Sequence, residues 1–110
     1  MPHRIRLRGP WEHNSLTNCF SRGFHRPTGL TAATRVWLVI DECTASAQIE
    51  LNGKEIGAAI AGQPARFDIT TELQPNNLLA ITLTDLQPAA KSPHGSPIGL
   101  VALEIELAAT

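Results

Sequence analysis

The chain has no tyrosine, one methionine, two cysteines and only five aromatic residues: Trp11, Phe20, Phe24, Trp37 and Phe67. It also lacks long apolar runs, charge bias and repeats. Each shortage excludes something. The longest apolar run, Val36 to Ile40, is far too short to span a bilayer, and Met1 to Arg8 lacks the apolar stretch of a secretory signal. These two absences predict a cytoplasmic protein. Cys19 and Cys43 are then expected as free thiols, and neither sits in a Cys-x-x-Cys spacing. The formal net charge is -1, so no global field draws the chain to nucleic acid or to an acidic membrane. Motifs for a Ser or Cys nucleophile are absent as well.

What remains is an ordinary globular composition. Of 110 residues, 43% are hydrophobic and 17% charged, which suits one domain over residues 1–110 with a single core. Eight glycines and eight prolines fall between short apolar runs. That punctuation predicts many short strands.

Ile5 and Leu7 alternate with Arg4, Arg6 and Arg8, a half-buried strand with a basic outer row. Thr34 to Ile40 is apolar on both parities and reads as a strand covered on both sides, with Trp37 and Phe67 assigned to the core. Ala47, Ile49 and Leu51 alternate with Gln48 and Glu50 and run into Asn52-Gly53, the strongest short hairpin signal. A two-residue turn sets Leu51 opposite Lys54, Glu50 opposite Glu55 and Ile49 opposite Ile56. The like charges at 50 and 55 need Lys54, Arg66 or solvent for relief, or else a longer turn. Ala65 to Ile69, Leu79 to Leu83 and Val101 to Leu107 supply further strands. Residues 12–33 read as mostly loop, residues 87–97 as a second long loop, and Thr71 to Leu73 as a brief helical turn capped by Thr70 or Thr71. The sum is an all-β, antiparallel sandwich or jelly roll of about seven or eight strands.

In order along the chain, six motifs resemble one family. Leu7, Gly9 and Trp11 resemble Leu-x-Gly-x-Trp. Val36, Leu38 and Ile40 resemble Val-x-Leu-x-Phe. Ala47 to Gly53 resembles Ala-x-Val-x-Leu-Asn-Gly, followed by Gly57. Phe67-Asp68-Ile69-Thr70 with Leu73 resembles Phe-Asp-Ile-Thr-x-x-Leu. Asn77, Leu79, Ile81 and Leu83 resemble Asn-x-Leu-x-Val-x-Val, and Gly99-Leu100 the Gly-Ile before a last strand. The chain is similar to the sugar-binding, galactose-binding-like jelly-roll domain of family 2 glycoside hydrolases. In those enzymes a catalytic barrel carries the reactive carboxylates, so the resemblance transfers no catalytic residue. It implies a non-catalytic module.

Several clusters invite a chemical reading. Arg4, Arg6 and Arg8 suggest an anion patch, but no aromatic lies among them, and pairing with Glu104 and Glu106 on a neighbouring strand explains them better. His13, Cys19 and His25 match no zinc spacing, so no metal or cofactor is expected. Asp41 with Glu42, and Glu50 with Glu55, lack the separation across a cleft that glycoside cleavage needs. A ligand site, if present, belongs to the two loops at one end: Phe20, Arg22, Phe24, His25 and Arg26 from the first, Lys91 and His94 from the second. Two functions stay open. One is a carbohydrate-binding module acting through those loops. The other is a structural or protein-interaction domain, a homodimer or a partner's companion, whose Phe20 and Phe24 are packed shut.

Overall fold

The structure, a computed structural model, describes residues 3–8, 11–14, 16–41, 43, 45–84 and 98–107. Nine strands lie within them: β1 (His3–Arg6), β2 (Glu12–Asn14), β3 (Cys19–His25), β4 (Thr34–Asp41), β5 (Ala47–Leu51), β6 (Lys54–Ala59), β7 (Ala65–Asp68), β8 (Asn76–Leu83) and β9 (Leu100–Leu107). They form two antiparallel sheets, ordered β1-β9-β4-β7 and β2-β3-β8-β5-β6, stacked as a sandwich. The all-β expectation holds. Among the described residues no helix is long and apolar enough to cross a membrane.

The core is built by strand alternation. Val36, Leu38 and Ile40 of β4 and Leu103 of β9 face Ile49 and Leu51 of β5 and Leu79 and Ile81 of β8, all essentially without solvent contact. Each such side chain contributes roughly 1.5–3 kcal/mol relative to an exposed position. Ile69 and Leu73 close the stack from the connection after β7.

The β5–β6 hairpin turns on Asn52 (φ 55°) and Gly53 (φ 84°), the two positive angles of a type I′ turn. Leu51 faces Lys54 and Glu50 faces Glu55, as the spacing predicts. The register then slips: Ile49 faces Gly57, because Ile56 is the extra residue of a β-bulge. The bulge brings the Gly57 backbone under Phe67 of β7, so close that a methyl group at residue 57 would collide with the ring. Neither Lys54 nor Arg66 relieves the facing glutamates. Lys54 pairs with Glu72 at 2.8 Å and Arg66 with Glu104 at 3.0 Å, while Gln48 binds Glu55.

Asn52 also docks the hairpin onto β8. Its Oδ1 accepts from the Leu78 amide at 2.8 Å, and its Nδ2 donates to Asn77 Oδ1 at 3.1 Å. Asn77 is 5% exposed. Its carbonyl also accepts from the Gln74 amide (2.8 Å), and its Nδ2 donates to the Gln74 and Phe24 carbonyls (2.9 and 3.4 Å). A buried amide is tolerated because both of its ends are bonded.

Two expectations change on the outer face of the four-stranded sheet and at the end of β7. Trp37 is not core. It lies on that outer face with the Arg66 guanidinium 4.3 Å above its ring. Val39 and Ala102 beside it are buried beneath charged side chains rather than a third layer. At the end of β7, a 3-10 turn spans Thr70–Glu72, but no side chain caps it. Thr70 instead donates its hydroxyl to Asp68 Oδ1 (2.6 Å), and its Oγ1 accepts from the Val36 amide (2.9 Å).

Candidate functional site

The largest departure from the sequence reading lies in residues 12–33. Where mostly loop was expected, β2 and β3 form a hairpin that extends the five-stranded sheet at one edge. Asn14 Oδ1 accepts from the Leu16 amide at 3.0 Å and starts the turn, and Asn18 closes it at φ 57°. Both conformations suit asparagine. Leu16 at the tip is 95% exposed.

The hairpin decides where the expected ligand residues go. Phe20 faces Ile81, Arg22 faces Leu79 and Phe24 faces Asn77 across β3–β8, so all three point to the inner side of the sheet. Phe20 and Phe24 pack against the core. Phe20 carries the His13 ring on its other side, stacked at 4.2 Å. His25, at the end of β3, bonds Asn76 Oδ1 at 2.7 Å on the outer side. Arg26 follows the strand, exposed, with its amide on the Pro75 carbonyl. The structure thus brings Phe20, Arg22 and Phe24 onto one face and sends His25 to the other. Lys91 and His94 lie outside the described residues.

The other clusters resolve in the same way. Cys19 and His25 stand at opposite ends of a seven-residue strand, roughly 20 Å apart at about 3.3 Å per residue. They cannot share a metal with His13, which bonds Asn18 at 3.1 Å. Among the described residues no three His, Cys, Asp or Glu side chains gather as a metal site. Both thiols are free; Cys43 is buried, with its Sγ 3.3 Å from the Ile60 carbonyl. Arg4 pairs with Glu104 (3.0 Å) and Asp41 (3.3 Å), and Glu106 goes to Arg66. The arginine row is therefore cross-strand pairing at Arg4. Glu42 lies outside the described residues. The bond from Thr70, with a smaller part from Arg35, holds the Asp68 carboxyl below the usual carboxylate range, as a structural bond and not a reactive one.

A depression of about 570 Å³ lies along this same hairpin, bordered by Glu12, His13, Asn14, Leu16, Thr17, Cys19 and Ser21. Its rim mixes polar side chains with Leu16 and the His13 ring, and no Trp or Phe lines it. The sequence offered no signal for it, because it exists only once β2 pairs with β3.

No protein-family model matches the chain, and no curated protein matches it. Solved structures do. A Bifidobacterium dentium β-glucuronidase, complexed with coumarin-3-O-glucuronide, matches 64% of the chain at 31% identity and a TM-score of 0.54. The jelly-roll resemblance to glycoside hydrolases holds. An FMN-binding β-glucuronidase from Facaelibacterium prausnitzii superposes on 94% of this jelly roll with a TM-score of 0.70 at 16% identity. A rhamnosidase from Novosphingobium sp. PP1Y covers 80%, with a TM-score of 0.62 at 22% identity. At such identities these last two speak for the fold alone. The jelly roll spans 13%, 22% and 11% of the three proteins.

Proposed function

We propose that this jelly roll is a non-catalytic module that acts by protein contact, of the kind built into glycoside hydrolases, rather than by holding a sugar in an end pocket. One observation carries the reading: all five aromatic rings are occupied. Trp11, Phe20, Phe24 and Phe67 pack against the core, and Trp37 lies under Arg66. Protein sites for sugars ordinarily stack an exposed ring on the pyranose and ring it with polar groups. No ring is left for that here. The carboxylates that could suggest glycoside cleavage do not face one another across a cleft: Asp41 is held by Arg4, and Glu50 and Glu55 share the outer side of a hairpin. Light scattering and glycan titration test this together. The reading expects a dimer or a partner-bound species, no measurable sugar affinity and no turnover of aryl glucuronides. A strict monomer that binds glycans would sink it.

A second reading has its own support. The depression along β2–β3 has hydroxyl, amide and carboxylate groups at its rim, and the 31%-identical relative is a sugar enzyme. In that case sugar affinity falls on substituting Thr17 or Ser21, with the fold unchanged by circular dichroism.

A further inference from the structure

The two outer faces of the sandwich treat charge differently. On the four-stranded sheet each outward acid has an arginine: Asp41 and Glu104 meet Arg4, Asp68 meets Arg35 and Glu106 meets Arg66. On the five-stranded sheet, among the described residues, no Lys or Arg stands at an outward position of any strand. Its outward acids lie in one row across the strands, through the register Glu12–Ser21–Ala80–Glu50–Glu55. Among the described residues no ion pair reaches these three carboxylates, and Glu55 accepts only from Gln48. Neighbouring strands lie about 4.8 Å apart, so Glu12 and Glu50 stand roughly 14 Å from each other. The row crosses open, uneven surface. The depression along β2–β3 and a second one of about 240 Å³ share Glu12 and Ser21, and Leu78 walls the second. Arg22 also borders the second depression, from an inward position and with its Nη1 buried. Leu78, 54% exposed, faces outward from the central strand β8, two residues from Ala80.

We propose that this face docks an extended basic segment of a partner protein, which crosses the strands with one cation on Glu12, one on Glu50 and an apolar side chain between them, over Ala80 and beside Leu78. This deepens the contact reading and rests on it. The sign of the charge selects the occupant. A face of unpaired acids attracts a basic segment and repels the phosphates of a nucleic acid. It also repels a second copy, because a two-fold axis would set the same acids against one another. The spacing selects the pattern. In an extended chain every second side chain points the same way, and residues four apart lie about 13 Å from each other. A base-x-apolar-x-base segment therefore matches the row from Glu12 to Glu50. An apolar centre on Leu78 inside a charged rim is the usual anatomy of a protein interface. A metal ion does not fit: Glu12 is too distant from Glu50 to share one, and among the described residues no third ligand joins Glu50 and Glu55.

The full chain is titrated with an end-capped lysine-threonine-leucine-threonine-lysine peptide, with the same peptide carrying glutamates for lysines, and with a neutral glucan oligosaccharide. Amide chemical shifts report both affinity and place. The lysine peptide is expected to shift the amides of Ser21, Ala80 and Glu50, and to bind several-fold more weakly as salt rises. Glu12→Gln and Glu50→Gln are each expected to weaken it about threefold, and together about tenfold. Glu106→Gln, on the opposite face, is expected to leave it unchanged. No shifts with the lysine peptide, shifts confined to β4 and β9, or equal binding by the Glu12→Gln/Glu50→Gln protein overturns the proposal. So does equal binding of the glutamate peptide, since charge would then not choose the occupant. Those failures leave the contact reading standing, because a partner can use another surface. Glucan binding that survives the double substitution instead overturns the contact reading, and this proposal with it. Glucan binding lost in the double variant overturns the proposal by making the row a sugar site.

Discussion

At the scale of single residues, two polar side chains carry more of the fold than their chemistry suggests. Asn77 satisfies the Gln74–Asn77 turn, the β5–β6 turn and the end of β3 with one amide. Asn77→Ala leaves those groups buried without partners and is expected to cost about 2–4 kcal/mol by urea denaturation. A loss below about 1 kcal/mol would show that water replaces the amide. Asp68 ties Thr70 and Arg35 to the end of β7, and its folded carboxyl titrates below its unfolded value of about 3.9. A depressed carboxyl contributes stability above the unfolded value and loses it as pH falls through the folded one. Asp68→Asn is therefore expected to be the less stable at about pH 6, and to lose less than wild type when taken to about pH 2.5. Parallel acid dependence of the two proteins would exclude the assignment. Both residues stand in the motifs from which the family resemblance was drawn, and both are explained by turn and strand geometry. Their legibility in the sequence came from that local role. Arg22 was legible only as a loop arginine, because nothing in its neighbours reveals that it faces inward.

At the scale of elements, strands with a clear apolar period were readable, including β1 and β7 with their half-buried faces, while β2 and β3 were missed. β5, β8 and β9 alternate and followed from period two, and β4 followed from a short run apolar on both parities. β2 has three exposed residues and no apolar side chain, and β3 interrupts its inward face with Arg22 and its outer face with Gly23. β2 is held by ladder bonds to β3, and β3 by ladder bonds to β8, rather than by a continuous hydrophobic pattern, so periodicity could not find them. The bulge between Ile49 and Glu50 was hidden for a different reason: Ile56 fits a plain hairpin as well as a bulged one, and Phe67, ten residues beyond Gly57 and on the other sheet, selects between them. That selection can be measured. Gly57→Ala is expected to destabilise by about 1–3 kcal/mol through the Phe67 ring. In a Phe67→Leu background the same change is expected to cost much less, a coupling that a double-mutant cycle reads directly. Additive effects would mean that the bulge, not the ring, resists the methyl group.

At the scale of the molecule, the first and last strands are partners: His3 faces Ile105 and Arg6 faces Ala102. The described segment therefore starts and stops at one corner of the four-stranded sheet. A circular permutant that joins these ends through a linker of about six residues and opens at the exposed Gly62–Gln63 turn is expected to keep a β-sheet spectrum and one cooperative melt. A molten product would show that the intact β6–β7 connection, which the permutant opens, is needed for folding. The same pairing sets how the domain answers force. Because β1 and β9 are antiparallel and their free ends leave side by side, tension applied between them opens the pair one rung at a time, like a zipper, instead of shearing all the rungs together. A chain that carries this domain can lean on it sideways, but it hangs from it by a seam made to peel.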